Sequence, residues 1–213
     1  DSACVSRLSQ LATSNSCLGV IMPCHSNPQD EEDALLVASH FKIQTIRVPL
    51  EKAYDTLKGT IEESLLDIKQ HQHSATDDTQ AKVSSANIKP RLRMSTLYLI
   101  ANRLNYLVAG TGNRSEIAIG YYTKYGDGGV DLLPIGQLVK REVQELASEL
   151  GVPSQIIEKA PSAGLWLGQT DEKEMGFTYE ELEQLLNGEV KNISPEKIDR
   201  IKHLMAISAH KRS

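Results

Sequence analysis

Two short segments hold most of the side chains in this sequence that could handle phosphate, a metal ion or a flat ring. The first reads Gly110-Thr111-Gly112-Asn113-Arg114-Ser115-Glu116. Its glycines let the backbone come close to a ligand, Thr111 and Asn113 offer neutral hydrogen bonds, and Glu116 adds a carboxylate. It is neither the dinucleotide fingerprint nor the Walker pattern. A plain turn with Asn113 or Ser115 capping a helix explains it about as well. The second segment runs from Tyr121 to Asp131. Its Tyr121, Tyr122 and Tyr125 lie beside Gly126, Gly128 and Gly129 in a chain that is only 5% aromatic. Tyrosine faces stack on flat rings while their hydroxyls still bond outward. Lys124, Asp127 and Asp131 add a cation and two carboxylates. Asp127-Gly128 also has the composition of a hairpin turn, although no clear strand pair flanks it.

Weaker signals surround these two. Lys140-Arg141, and Lys89, Arg91 and Arg93, read most simply as solvated charge on helices. Arg91 and Arg93 are two apart and so cannot share one helical face. The stretch from Lys159 to Glu172 carries Ser162, two glycines and the only Trp, Trp166. Functional loops have that composition, as does a core edge plugged by an indole. His71 and His73 could begin a metal site, but with no third ligand nearby a solvated loop is the better reading.

The elements that must position these residues follow from periodicity. Val5, Leu8, Leu11 and Ala12 mark a first amphipathic helix. Leu18–Met22, stopped by Pro23, reads as a buried strand. Asp30–Phe41 reads as a helix and Ile43–Val48 as a second strand, which makes a βαβ unit and implies a parallel sheet. Helical patterns follow over Leu50–Leu57 and Thr60–Gln70, then a polar loop over His71–Ser85. Arg91–Leu104 predicts a helix and Tyr106–Ala109 a short strand, so Gly110 falls at the carboxyl end of a parallel sheet. Gln137–Leu150 is the clearest amphipathic helix, closed by Gly151 and Pro153. Tyr179–Leu186 and Pro195–Ser208 are the last two. Alternating β and α predicts an α/β fold with a doubly wound parallel sheet.

Composition narrows the class. The chain has 213 residues, 40% of them apolar, which suits one domain with a sizeable core. With 23 Lys and Arg against 28 Asp and Glu, its net charge of −5 speaks against nonspecific nucleic-acid binding. Cys4, Cys17 and Cys24 lack the paired spacing of a zinc site, and free thiols suit a reducing, cytoplasmic compartment. No apolar run approaches the roughly 20 residues that span a bilayer, and no signal peptide opens the chain. It begins at Asp1-Ser2, already at a helix entrance, and stops at His210-Lys211-Arg212-Ser213, so the expectation is that segments are missing at both ends.

The motifs taken together resemble the ammonia-dependent NAD synthetases, members of the N-type ATP pyrophosphatases. In order they are Arg91-Leu92-Arg93-Met94, Gly110-Thr111 to Glu116, Thr123 to Gly129, Val139-Lys140-Arg141, Lys159-Ala160-Pro161-Ser162, Gly168-Gln169-Thr170-Asp171-Glu172 and His210-Lys211-Arg212. Lys124-Tyr125-Gly126-Asp127-Gly128-Gly129 is close to diagnostic, and the first third matches more loosely through Met22-Pro23 and Asp30 to Asp33. The resemblance implies a flavodoxin-like parallel sheet of the adenine nucleotide alpha hydrolase kind. It also implies that Asp1-Ser2 are the end of a pyrophosphate loop whose glycines and first strand precede residue 1. On that footing 1–213 is a single synthetase domain, cut at the N-terminus and, by the same likeness, at the C-terminus.

The activity it implies is amidation of deamido-NAD to NAD. ATP is attacked at its α-phosphate by the substrate carboxylate, pyrophosphate leaves, and ammonia displaces AMP from the acyl-adenylate. Magnesium and a homodimer belong to the implied picture. Carried over by position, Asp1 and Glu116 become magnesium ligands, and Ser2, Thr111, Lys140 and Ser162 ATP contacts. Arg91, Tyr98, Tyr121, Lys124 and Asp131 line the deamido-NAD site, and Asp127 serves the ammonia step. Lys124, Asp127 and Lys140 form the catalytic set. Cys24 to Gln29 and Lys159 to Met175 become loops over the active centre. Two positions depart from the pattern: Ile21 stands where Arg is common, and Gly164 where some relatives carry Asp. Another N-type ATP pyrophosphatase, amidating a nucleotide or thiolating tRNA, would explain Asp1-Ser2 but not Lys124 to Gly129 with Gly168 to Glu172. A nucleotide-binding remnant without catalysis is the alternative that is not an enzyme.

Overall fold

The computed structural model describes residues 1–69, 78–162, 170–190 and 192–212, without the side chains of 67–69 and 78–80. His71, His73, Gly164, Trp166, Gly168 and Gln169 lie outside the described residues, and so does what the sequence suggested for them.

Asp1 heads helix α1 (Ser2–Ala12), which buries Ala3, Cys4 and Val5. Gln10, near its far end, donates to the carbonyl of Phe41 at 2.6 Å and so ties α1 to the next helix. Strand β1 (Gly19–Ile21) follows. Helix α2 (Pro28–Phe41) starts under an Asn27 cap that accepts from the Gln29 N–H, with Pro28 at its first position and Asp30 and Glu31 in its first turn. All three are favourable at a helix N-terminus. Strand β2 (Thr45–Arg47) pairs with β1 in parallel, Val20 opposite Ile46. The strand contact is close enough that a Cβ on Gly19 would meet Thr45 Cγ2 at 2.9 Å. The expected βαβ unit is therefore present, with shorter strands than the apolar runs suggested.

The next region differs from its sequence reading in two ways. Helix α3 (Glu51–Lys69) is continuous where two helical patterns were expected. Gly59 weakens a helix by roughly 1 kcal/mol without ending it, and the hydroxyls of Thr56, Thr60 and Ser64 bond back to carbonyls one turn earlier. The polar segment expected as a loop to Ser85 is helical from Asp78, as α4 (Asp78–Ala86). Polarity alone does not forbid a helix that needs only one face against its neighbours. Helix α5 (Ile88–Leu104) begins three residues before Arg91 and ends at Asn105 in the left-handed conformation.

The strand expected at Tyr106–Ala109 is reduced to one isolated parallel bridge, Ala109 with Leu132. Flanking bonds run from Gly110 N–H to the Leu132 carbonyl at 2.8 Å and from Asp131 N–H to the Val108 carbonyl at 3.0 Å. Between these two stretches lies α6 (Arg114–Ile119). After it come α7 (Lys140–Glu149), α8 (Ser154–Ile157), α9 (Asp171–Met175), α10 (Tyr179–Leu186) and α11 (Pro195–Ile207). Turns hold Pro134 to Leu138, so α7 starts three residues later than the periodicity implied. That shift makes Lys140 its first residue.

Two cores fix the frame. Val5, Phe41, Ile135 and Val143 join α1, α2 and α7. Ile119, Met175, Leu182 and Ile201 join α6, α9, α10 and α11. Fully buried aliphatics such as Ile135, Leu182 and Ile201 each contribute about 1.5–3 kcal/mol by leaving water. The three cysteines are free thiols, Cys4 and Cys24 buried. Among the described residues no helix is long and apolar enough to cross a membrane.

Candidate active site

Three helix N-termini meet around Lys140. Asn113 caps α6, its Oδ1 accepting from the Glu116 N–H at 3.0 Å, while Glu116 Oε2 accepts from the Asn113 N–H at 3.2 Å. The other end of the Asn113 amide donates to Asp1 Oδ2 at 2.9 Å, at the head of α1. Asp1 Oδ1 in turn accepts from Lys140 Nζ at 2.8 Å, and Glu116 Oε1 stands 4.0 Å from the same ammonium. The Lys140 backbone N–H, at the start of α7, donates to Ser115 Oγ at 3.1 Å. Asn113 and Ser115 have no exposed surface. The capping reading of the first segment was thus correct, and the capping residues also build a charged cluster. Converging helix N-termini and an ammonium make a place for anionic oxygens.

Burial shapes the protonation of this cluster. It raises the Glu116 carboxyl above its ordinary range, opposed by Lys140 and by the Asn113 bond. It lowers Lys140, opposed by Glu116 and Asp171. Among the described residues no group of three His, Cys, Asp or Glu side chains is placed to hold a metal. Asp1 and Glu116 are hard oxygen donors, and a magnesium ion commonly takes one or two carboxylates and completes its shell with phosphates and water. The residues therefore fit that ion as part of a shell.

Two residues that sequence reasoning gave no role lie against Lys140. The Tyr179 ring faces Nζ, 5.4 Å from its centroid, and the Tyr179 hydroxyl donates to Asp171 Oδ2 at 2.8 Å. Both are buried. Burial, Glu116 and Asp171 all push the Tyr179 phenol far above its ordinary value. Tyr121 also belongs here: it donates to Glu174 Oε2 at 2.8 Å, and after burial the Asp171 carboxylate is the next cause of its raised phenol. Beside Lys140 and Tyr179 opens a cleft of about 570 Å³, bordered also by Arg141, Pro161, Glu172 and Glu183. Thr111 is half-buried just before Asn113, whereas Ser2 and Ser162 are exposed. Ser162 follows Pro161, whose carbonyl accepts from the Asp171 N–H at 3.0 Å.

A second set gathers around the glycine-rich segment. Asp127 Oδ1 accepts from the Thr123 N–H at 2.9 Å, and successive turns close Gly126 onto Thr123 and Gly129 onto Gly126. No hairpin forms among these residues; the segment is a knot of turns with Asp127 as its clasp. A Cβ on Gly128 would lie 2.5 Å from the Tyr122 ring, which requires glycine there. Although Asp127 is exposed at its rim, the crowding around its carboxyl raises it above the usual range, against the Thr123 bond and Lys211. Lys124 Nζ donates to the His210 carbonyl. Arg91 Nε donates to the Lys124 carbonyl at 3.3 Å, and Tyr98 donates to Asp131 Oδ1 at 2.9 Å. Asp131 Oδ2 also accepts the Val108 N–H at 2.7 Å. Lys211 braces the same knot through the carbonyls of Gly120 and Tyr122 at 2.7 and 2.6 Å.

Arg93 occupies the space between the sheet and this knot. It donates to the Met22 carbonyl at 3.2 Å and to Ser26 Oγ at 3.1 Å. Arg91 stays exposed, so the two arginines diverge as their spacing required. Lys159 reaches Asp30 and Asp33 at 2.8 and 2.6 Å, linking the segment after α8 to the first two turns of α2.

Known proteins match this chain along its whole length. The family model described as NAD synthase matches residues 1–213. An NH(3)-dependent NAD(+) synthetase of Carboxydothermus hydrogenoformans is 53% identical over 213 residues, covering 100% of this chain and 82% of the relative. The NMN synthetase of Francisella tularensis superposes with a TM-score of 0.86 at 36% identity, over 99% of this chain and 82% of that one. The NH3-dependent NAD synthetase of Campylobacter jejuni follows at 0.73 and 29%, over 99% and 81% of the two chains. An α/β chain with parallel pairing, a lysine set at three helix N-termini and this coverage belongs to the NAD synthase family.

Proposed function

We propose that this chain amidates deamido-NAD to NAD with ATP and ammonia. The observation that carries the reading is Lys140, held by Asp1 and Glu116 where α1, α6 and α7 begin. On this reading the substrate carboxylate attacks the α-phosphorus of ATP, and the bond to the bridging oxygen breaks to release pyrophosphate. The ammonia nitrogen then attacks the acyl carbon, AMP leaves with the bonding pair, and the nitrogen sheds a proton.

Each group has a stated task. Lys140 and Ser2 hold phosphate oxygens, with Thr111 and Ser162 as further ATP contacts. Asp1 and Glu116 hold magnesium, which when bound would screen the phosphates and withdraw charge from the phosphorus. Tyr98, Asp131, Arg91, Lys124 and Tyr121 receive the dinucleotide. Asp127, whose carboxyl burial raises above its ordinary range, orients ammonia and takes its proton. Residues 1–213 act as one synthetase domain, paired as a homodimer. The cytoplasm, with its ATP and reduced thiols, is the compartment that matches three free cysteines.

Turnover by the complete protein tests the reading. NAD formation should require ATP, magnesium, ammonium and deamido-NAD together, and nucleotide binding without turnover would overturn it. The fit to an NMN synthetase favours one second reading, in which the acceptor is nicotinic acid mononucleotide. Presenting both acceptors decides the matter: a larger kcat/KM with the mononucleotide moves the assignment to that substrate.

A further inference from the structure

We propose that Asp171 and Tyr179 are positioning residues for Lys140, a buried pair that fixes the ammonium where it meets the phosphates. The inference rests on the synthetase reading of Lys140 as a phosphate contact.

Three observations carry it. First, the groups around Lys140 limit its swing. Its side chain is 12% exposed, with Asp1 and Glu116 on one side and the Tyr179 ring on another. A flexible four-carbon stem otherwise loses much rotamer freedom when fixed. Second, Tyr179 is itself fixed. It is 6% exposed, packed with Met175, Phe177 and Leu182 in the second core, and its hydroxyl is held by Asp171 Oδ2. Third, Asp171 is 4% exposed, yet its Oδ1 has no hydrogen-bond partner among the described residues.

A pair serving only to glue the core would not need that orphan oxygen. Leaving a charged acceptor buried and unbonded is unfavourable, and native structures seldom keep one without a reason. The nearby ammonium supplies compensation, since Lys140 feels Asp171 as well as Glu116, and the Tyr121 hydroxyl faces the same carboxylate. The same carboxylate anchors the far end of the ring that faces Nζ. Asp171 thus acts on Lys140 in two ways, through its charge and through Tyr179. The start of α9 supplies the rigid base: the Asp171 N–H is tied to the Pro161 carbonyl, and Glu172 Oε1 accepts from the Tyr179 N–H at 3.0 Å.

The test uses Tyr179→Phe, Asp171→Asn and the double variant in the complete protein, with Val37→Ala on α2 as a core control. ATP affinity is read by calorimetry with an α,β-methylene analogue, and kcat and KM are read from NAD formation. Losing one charge-assisted hydrogen bond behind Lys140 should weaken analogue binding about tenfold and lower kcat about ten- to hundredfold. The KM for deamido-NAD should stay within about threefold, because the dinucleotide groups are untouched. The double variant should be no worse than Asp171→Asn, since both changes cut one chain of contacts. Val37→Ala, in the other core, should lower thermal stability without moving kcat. Normal analogue affinity and kcat in Tyr179→Phe and Asp171→Asn, or penalties that multiply, would overturn the pair. Wild-type protein that binds the analogue and makes no NAD overturns the synthetase reading instead, and analogue affinity of the variants then decides the pair alone.

Discussion

Replacing Lys140 by Met keeps most of the stem and removes the charge, so it isolates what the ammonium does for its carboxylate neighbours. Asp1 Oδ1 and Glu116 Oε1 stand 2.8 and 4.0 Å from Nζ, and the side chains of Lys140, Asp1 and Glu116 are 12%, 16% and 17% exposed. At an effective dielectric of about 20 these separations correspond to attractions of about 6 and about 4 kcal/mol. Desolvation offsets much of that, and removing one partner of a buried pair costs about 3–5 kcal/mol because the other charge stays behind. Glu116 then sets the sign with pH. Burial already raises its native carboxyl above 4.5, with Lys140 opposing the rise, so without Lys140 the native value climbs further while the unfolded value does not. Between the two the native state holds more protons than the unfolded state, so the variant gains stability as pH falls through the window above 4.5. Urea unfolding of wild type and variant, without metal or nucleotide, should show a gap of about 3–5 kcal/mol near pH 7.5 that narrows toward about pH 5. A gap below about 1 kcal/mol, or one flat across that range, refutes the argument that Lys140 is the main counter-ion of this cluster.

Asp127→Ala should abolish amide formation while leaving ATP affinity within about threefold, and NAD synthesis at the wild-type rate would reduce Asp127 to a clasp of its turn. Glu116→Gln should raise the magnesium concentration needed for half-maximal rate by about tenfold, because one of two carboxylate donors becomes a weaker neutral one; an unchanged magnesium titration would refute the ligand assignment. Gly128→Ala places a methyl 2.5 Å from the Tyr122 ring, which should destabilise the protein by about 1–3 kcal/mol, read as a shift in urea midpoint. Tyr98→Phe removes the donor to Asp131 and should raise the KM for deamido-NAD by about five- to tenfold with kcat little changed; a loss confined to kcat would place Tyr98 elsewhere in the cycle.

Periodicity located most helices because each has a face to bury: α2, α10 and α11 lie within two residues of their expected bounds. It erred where local chemistry and packing disagree. The two patterns over Leu50–Leu57 and Thr60–Gln70 join into the single helix α3, since one glycine between them weakens a helix without ending it. Asp78 to Ser85 looked too polar to be ordered, yet α4 needs only a narrow face against α5. The strand at Tyr106–Ala109 was overstated, because apolar residues predict burial and not the number of ladder bonds. Lys140 was placed inside its helix, and only the turns from Pro134 to Leu138 move it to the first position, where its N–H can reach Ser115.

The site was legible in a different sense. Asn113 and Glu116 form a capping box, where the sequence offered Asn113 or Ser115 as the cap. Their bond to Asp1 crosses 112 residues, and that of Lys140 to Asp1 crosses 139; no local pattern encodes either. Those contacts were reachable only through resemblance, which orders motifs along a chain without giving distances. Asp171 and Tyr179 show what that leaves out. Asp171 sits in a recognised motif and reads as an ordinary acidic residue at a helix start, while Tyr179 reads as one more core aromatic eight residues on. Their significance comes from a ring face 5.4 Å from an ammonium and a carboxylate oxygen buried without a hydrogen-bond partner among the described residues. Both are properties of three elements packed together: α7 brings the lysine, α9 the acid and α10 the ring. A residue that acts on a ligand tends to carry its chemistry in its type, as Lys140 does. One that acts through another carries it in its surroundings, which is why the positioning pair became visible only with the fold.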